Sequence, residues 1–334
     1  MSPKTFKAMV VRGTAENKFV RQITQKSLDE LPEGGVLIRV HYSSLNYKDA
    51  LSATGDKGVT KKYPHTPGID AAGIIEESAV PDFQPGEEVI VTGYDLGSNT
   101  SGGFAEYIRV PEGWVVKRPE NLSLRESMAY GTAGFTAGLS VYKLMNHGIT
   151  PDQGPILVTG ATGGVGSIAV AILVKAGYHV VAVTGKLEQK QFLIELGARE
   201  VIHRDAAKNT SEKPLLSGRW AGAVDTVGGN LLETAIRATK PEGAVACCGN
   251  IGSAELHTSI YPFILRGVSL LGIGSAFTPM GIRQQIWKKL SAEWKLEHLD
   301  RLTSEITLEQ LERHIELILQ GKVKGRVIIN LLKE

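Results

Sequence analysis

Residues 156–170 read Ile-Leu-Val-Thr-Gly-Ala-Thr-Gly-Gly-Val-Gly-Ser-Ile-Ala-Val. A short apolar run enters a turn with glycines at 160, 163, 164 and 166, and an apolar helical pattern leaves it. Glycine lets a chain turn sharply and lets a phosphate approach the main chain. The start of a helix offers that phosphate unpaired amides and the positive end of its dipole. The spacing is Gly160-x-x-Gly163-x-x-Gly166, or equally Ala161-x-Gly163-x-x-Gly166, not the usual G-x-G-x-x-G. Glycines also close ordinary turns, but a second apolar strand over 179–183 follows about one helix later and completes a βαβ unit. The chemistry implied is capture of a dinucleotide pyrophosphate by Thr162, Gly163, Gly164 and Val165.

The end of the second strand speaks to the choice of coenzyme. NAD sites usually place an acid there for the ribose 2′-hydroxyl. Here the residues are Thr184, Gly185 and Lys186, with no carboxylate before Glu188. A carboxylate repels a 2′-phosphate and a lysine attracts it. The expected coenzyme is therefore NADPH; the competing reading makes Lys186 a solvated surface charge.

Metal chemistry finds little support. The eight histidines are scattered, and Cys247 and Cys248 are neighbours that rarely bridge and cannot form a four-cysteine lobe. No metal is expected. Both cysteines suit a reducing, cytoplasmic setting. Met1 to Val11 show no signal-peptide pattern, and no apolar run reaches the roughly 18 residues of a membrane span. A net charge of +2 implies no strong attraction to nucleic acid or membrane.

Two kinds of element must position these groups. The 334 residues suggest two domains at about 150 each. Phe6 to Val110 give short β-like runs punctuated by Gly and Pro, a barrel-like pattern. Ser123-Leu124-Arg125-Glu126 is a capping box before a small-residue helix. Strands near 156–159, 179–183, 200–202, 221–226, 243–247 and 268–273 then alternate with helices, the mark of a doubly wound parallel sheet. A helix is expected near 279–295 and another over 308–320. A last strand over 325–330 is expected to rejoin the N-terminal part. Domain limits are placed at 1–125 with 270–334, and 126–269.

Several stretches together resemble the medium-chain dehydrogenase/reductase superfamily, and within it the zinc-free acrylyl-CoA reductase and quinone oxidoreductase group. They are Ser44-Leu45-Asn46-Tyr47-Lys48-Asp49-Ala50, Pro67-Gly68-Ile69-Asp70, residues 131–137, residues 158–166, Ala223-Val224-Asp225-Thr226-Val227-Gly228 and residues 261–268. They run in family order along nearly the whole chain. The resemblance implies a GroES-like catalytic domain and a Rossmann coenzyme domain. In zinc relatives a Cys stands where Asn46 stands, and Gly-His-Glu where Gly68-Ile69-Asp70 stands; the soft ligands are missing here.

The resemblance also supplies site residues. Asn46 and Tyr47, expected in a loop at a strand end, face the nicotinamide, and with Asp70 form the catalytic set. The bland reading of Asn46 and Asp70 is that they only hold that loop through backbone hydrogen bonds. Thr132, Arg204, Asn250, Ile264, Ser275 and Arg326 join the coenzyme contacts, although Arg326 could equally form a surface ion pair. NADPH would deliver hydride to the β-carbon of a short 2-enoyl thioester, and the α-carbon proton would come from Tyr47 or from water. Lys57, Lys61 and Lys62 could meet CoA phosphates or simply be solvated. Reduction of quinones or enones by the same fold, or NADPH binding with weak catalysis, remain as alternatives. The family further implies a homodimer through the strand near 268–273.

Overall fold

The computed structural model describes residues 4–16 and 18–333; Met1 to Pro3, the start of the N-terminal stretch, lie outside the described residues. The chain divides into two compact units. One holds Met1–Thr132, Ala276–Ser291 and His298–Glu334, and the other Ala133–Ser275 and Ala292–Glu297.

In the first unit the strands are β1 (Thr5–Gly13), β2 (Phe19–Ser27), β3 (Val36–Leu45), β4 (Asp70–Ser78), β5 (Glu88–Thr92), β6 (Tyr107–Val110) and β7 (Val115–Lys117). β1 and β2 form an antiparallel pair. β3 is the hub of the main sheet: it pairs antiparallel with β4 and with β6. Val36, Ile38 and Val40 alternate along it and all point into the core, joined by Ile75, Val89 and Val91. Burying each such side chain contributes about 1.5–3 kcal/mol. Helix α1 (Tyr47–Ala53) follows β3 directly. Asn46 is its N-cap and Tyr47 its first residue, a correction to the loop expected there. Helix α2 (Leu124–Asn146) opens on the expected capping box: the Ser123 N–H donates to Glu126 Oε2 at 2.8 Å, and the Glu126 N–H donates to Ser123 Oγ at 3.1 Å. It is broken at Gly131, whose φ of 50° is not helical.

The second unit alternates β8 (Ile156–Val158), α3 (Gly164–Lys175), β9 (Val180–Thr184), α4 (Lys190–Glu195), β10 (Glu200–His203), α5 (Arg204–Ala207), β11 (Trp220–Asp225), α6 (Gly229–Arg237), β12 (Thr239–Cys247), α7 (Tyr261–Arg266) and β13 (Ser269–Gly272). All neighbouring strands run parallel, in the order β10-β9-β8-β11-β12-β13. This is the doubly wound Rossmann arrangement, whose strand order reverses between β8 and β11. Leu157, Val181, Val183, Ala223 and Val245 are buried in its core, as strands covered on both faces require. β13 is an edge strand.

The chain closes in the first unit with α8 (Met280–Leu290), α9 (Leu299–Leu302), β14 (Thr303–Ile306), α10 (Leu311–Leu319) and β15 (Arg326–Asn330). The helix expected to reach 295 stops at Leu290, and residues 292–297 belong to the second unit. As expected, the last strand rejoins the N-terminal sheet: β15 pairs antiparallel with β3, Val327 opposite Leu45. No helix among the described residues is long and apolar enough to cross a membrane.

Candidate active site

In the second unit, the residues expected to hold coenzyme gather at the carboxyl ends of parallel strands, where open α/β sheets bind ligands. Gly160 takes a φ of 61° after β8. Gly163 is the N-cap of α3, and Gly163, Gly164 and Val165 are partly exposed. A Cβ on Gly166 would lie 2.3 Å from the Gly160 carbonyl oxygen, so only glycine lets helix and strand close up. Thr162 Oγ1 lies 3.2 Å from Thr184 Oγ1 at the end of β9. The Lys186 N–H donates to the same Thr184 oxygen at 3.0 Å. A Cβ on Gly185 would meet Arg204 Nε at 2.3 Å, so the guanidinium lies against bare backbone. Burial holds the Lys186 ammonium below its ordinary range; Glu188 draws it up and Arg204 pushes it down. Two cations share this strand end, the charge a ribose 2′-phosphate requires. These residues fit NADPH: glycine amides for the pyrophosphate, Lys186 and Arg204 for the 2′-phosphate. Asn250 is exposed beyond β12, Ser275 is half-buried beyond β13, and Ile264 on α7 is 63% exposed.

The first unit brings Asn46 and Asp70 together. Asn46 Nδ2 donates to Asp70 Oδ2 at 2.8 Å and to Asp49 Oδ2 at 3.1 Å, so one amide bridges two carboxyls. The Asn46 N–H also donates to Asp49 Oδ2, and the Ile69 N–H to Asp49 Oδ1, each at 2.8 Å. Asp49 is fully buried; burial first, and the Asp70 charge second, push its carboxyl up to about 7 against the hydrogen bonds from Asn46 and Ile69. Asp70 accepts from Ser44 Oγ and from Thr132 Oγ1, each at 2.5 Å, and from the Thr132 N–H at 2.9 Å. The break in α2 makes this possible. A Cβ on Gly131 would lie 2.5 Å from both Asp70 Oδ2 and Ser44 Oγ.

Arg326 is only 2% exposed, so it forms no surface ion pair. Its Nε donates to the Ala129 carbonyl at 3.1 Å, Nη1 to the Leu45 carbonyl at 3.3 Å and Asn46 Oδ1 at 3.2 Å, and Nη2 to Ser44 Oγ at 2.7 Å. Nη2 stands 3.8 Å from Asp70 Oδ2. Its donors are thus engaged with protein, and it serves as the counter-charge of the acid pair. Tyr47 is half-buried beside this cluster, with no hydrogen bond to its hydroxyl among the described residues. Lys57 donates to the Lys61 carbonyl and lies over the Tyr63 ring, while Lys61 and Lys62 are exposed. Sequence reasoning missed Ser44, Asp49 and Gly131 as site residues. The Asn46-x-x-Asp49 spacing, a capping pattern, was a signal that could have found Asp49.

Among the described residues no group of three or more His, Cys, Asp or Glu side chains is placed to hold a metal ion. A zinc ion does not suit the donors at Asn46 and Asp70. One is an amide; the other is a carboxylate already ringed by donors and faced by a guanidinium.

The family described as Alcohol dehydrogenase GroES-like domain matches residues 32–120, and that described as Zinc-binding dehydrogenase matches residues 164–293. The chain is 45% identical to YhfP of Bacillus subtilis, whose name assigns it provisionally to the quinone oxidoreductases, over 98% of this chain and 99% of that protein. The structure of YhfP with NAD bound superposes with a TM-score of 0.95, covering 98% and 100%. The acrylyl-CoA reductase AcuI of Ruegeria pomeroyi is 43% identical over 97% of this chain and 99% of its own length. The YhdH oxidoreductase of Salmonella enterica, solved in complex with NADP, gives a TM-score of 0.95 at 40% identity, covering 97% and 99%.

Proposed function

From the premise that this chain belongs to the medium-chain dehydrogenase/reductase superfamily, in its zinc-free acrylyl-CoA reductase and quinone oxidoreductase group, we propose that it reduces the C=C bond of a short 2-enoyl-CoA at the expense of NADPH. NADPH supplies hydride when bound. The observation that carries the coenzyme half is the pairing of Lys186 with Arg204 at the end of β9, where an acid would favour NADH. Acrylyl-CoA, converted to propanoyl-CoA, is the favoured substrate, from the likeness to AcuI.

A thioester already withdraws electrons from its alkene, so hydride addition to the β-carbon needs donors at the carbonyl oxygen rather than a metal. Tyr47, with no internal partner for its hydroxyl among the described residues, can donate to that oxygen or to the coenzyme. The Asn46–Asp70 network fixes the start of α1 and hence the Tyr47 backbone. Thr162 to Val165, Thr184 to Lys186, Arg204, Asn250, Ile264 and Ser275 hold the coenzyme. A quinone or enone is the second acceptor class, favoured by the likeness to YhfP. β13 is an edge strand with Leu270 exposed, which supports a homodimer formed along it. Cys247 and Cys248 are free thiols, in keeping with a cytoplasmic setting.

The test follows NADPH oxidation with acrylyl-CoA, a benzoquinone and a simple enone. Turnover highest with acrylyl-CoA supports the reading. Preference for the quinone moves the assignment to the second class, and coenzyme binding without turnover contradicts both.

A further inference from the structure

Tyr47 is half-buried, and no hydrogen bond holds its hydroxyl among the described residues, so its backbone and packing aim it. The residue before it, Asn46, is fully engaged with protein. Its Nδ2 carries two hydrogens and already meets three acceptors: the Ser44 carbonyl at 3.3 Å, Asp49 Oδ2 at 3.1 Å and Asp70 Oδ2 at 2.8 Å. Its Oδ1 accepts from Arg326 Nη1 at 3.2 Å. Asn46 therefore has no hydrogen left for a substrate and belongs to the mount of Tyr47.

Asp49 differs from the other members of that mount. Asp70 and Arg326 reach Asn46 through its side chain. Asp49 holds its main chain: the Asn46 N–H donates to Asp49 Oδ2 at 2.8 Å. The other oxygen, Oδ1, accepts from the Ile69 N–H at 2.8 Å, one residue before β4 begins. One buried carboxyl thus ties the corner between β3 and α1 to the start of β4. Three N–H groups converge on it, which favours its charged form against the upward push of burial and of Asp70. An amide of the same size has one acceptor oxygen and must turn its NH2 towards one of these donors. It can keep Asn46 or Ile69, but not both.

We propose that Asp49 is a positioning residue for the reduction: by holding the Asn46 and Ile69 main chains at once, its carboxyl sets the direction in which Tyr47 presents its hydroxyl. This rests on the reading above, in which Tyr47 donates to the thioester oxygen or to the coenzyme.

A double-mutant cycle separates positioning from plain structural support. With acrylyl-CoA, Asp49→Asn should lower kcat about 100-fold, the loss that a misplacement of about 1 Å brings. Tyr47→Phe removes the hydroxyl, and adding Asp49→Asn to it should lower kcat less than about threefold further. Unchanged kcat in Asp49→Asn, or an equal loss in both backgrounds, overturns the proposal. Should the asparagine variant not fold, Asp49→Glu, which moves the carboxyl by one methylene, enters the same cycle under the same criterion. Fluorine NMR of the coenzyme-free, fluorotyrosine-labelled protein gives a readout without turnover. The resonance missing from Tyr47→Phe is that of Tyr47, and it should shift or split in the Asp49 variant; an unmoved line also overturns the proposal. Failure of the wild-type protein to reduce acrylyl-CoA would instead defeat the enoyl-thioester reading, which the fluorine arm does not depend on.

Discussion

Replacing Arg326 with methionine removes one cation from beneath two buried acids. Its guanidinium donates to the Ala129 and Leu45 carbonyls, Asn46 Oδ1 and Ser44 Oγ at 2.7–3.3 Å, and stands 3.8 Å from Asp70 Oδ2. Charge-assisted hydrogen bonds are worth about 1.5–3 kcal/mol each, but they share one side chain and do not add. Breaking a buried pair by removing one partner costs about 3–5 kcal/mol, a large part of the roughly 5–15 kcal/mol that holds a domain folded. Methionine fills part of the volume, so about 3 kcal/mol is expected. The loss should depend on pH. Asp49 binds its proton more tightly when folded, up to about 7 from 3.8, so its contribution is fullest below 3.8 and is lost as pH rises through 7. Without the guanidinium the buried Asp49 carboxyl holds its proton longer, and the deficit against the wild type should widen from about pH 5.5 to about pH 8. Urea unfolding of both proteins at those two pH values measures it. A deficit below about 1 kcal/mol, or one that narrows as pH rises, would refute the reasoning.

Lys186→Ala should raise KM for NADPH about 10–100-fold, one lost charge-assisted contact, and leave NADH nearly unaffected; steady-state kinetics with both coenzymes decides. Gly131→Ala places a Cβ 2.5 Å from Asp70 Oδ2 at a φ of 50° and should cost about 2 kcal/mol or more, read from urea unfolding. Glu305 is held down to about 2 from 4.5 by the Asn330 amide, then Arg125 and Lys333. Its stabilisation is therefore present above pH 4.5 and lost as pH falls towards 2, and Glu305→Gln should flatten that part of a melting-temperature profile.

Local signals were legible in the sequence. Gly160, Gly163 and Gly166 mark a turn whose close packing only glycine allows, and Ser123 with Glu126 forms the box the spacing implies. The returning strand was readable because Val327, Ile328 and Ile329 are apolar and follow Gly325. β2, β7 and β14 were not anticipated: β2 is half-exposed and polar, β7 spans three residues, and β14 alternates weakly. The acid network was harder still. Arg326 meets Ser44 across 282 positions of chain, and Asp70 meets Thr132 across 62. No periodicity encodes such contacts; they follow from β15 lying beside β3 and from a helix broken at Gly131. Asn46 and Asp49 carried a short-range hint, since an N-cap and its third helical residue commonly exchange hydrogen bonds.

The proposed reaction can be followed atom by atom. Acrylyl-CoA turned over with NADPH carrying deuterium at the transferable position of the nicotinamide should yield propanoyl-CoA labelled at its β-carbon, with the α-carbon hydrogen drawn from solvent. Deuterium at the α-carbon, or product without label, would contradict hydride delivery to a polarised alkene.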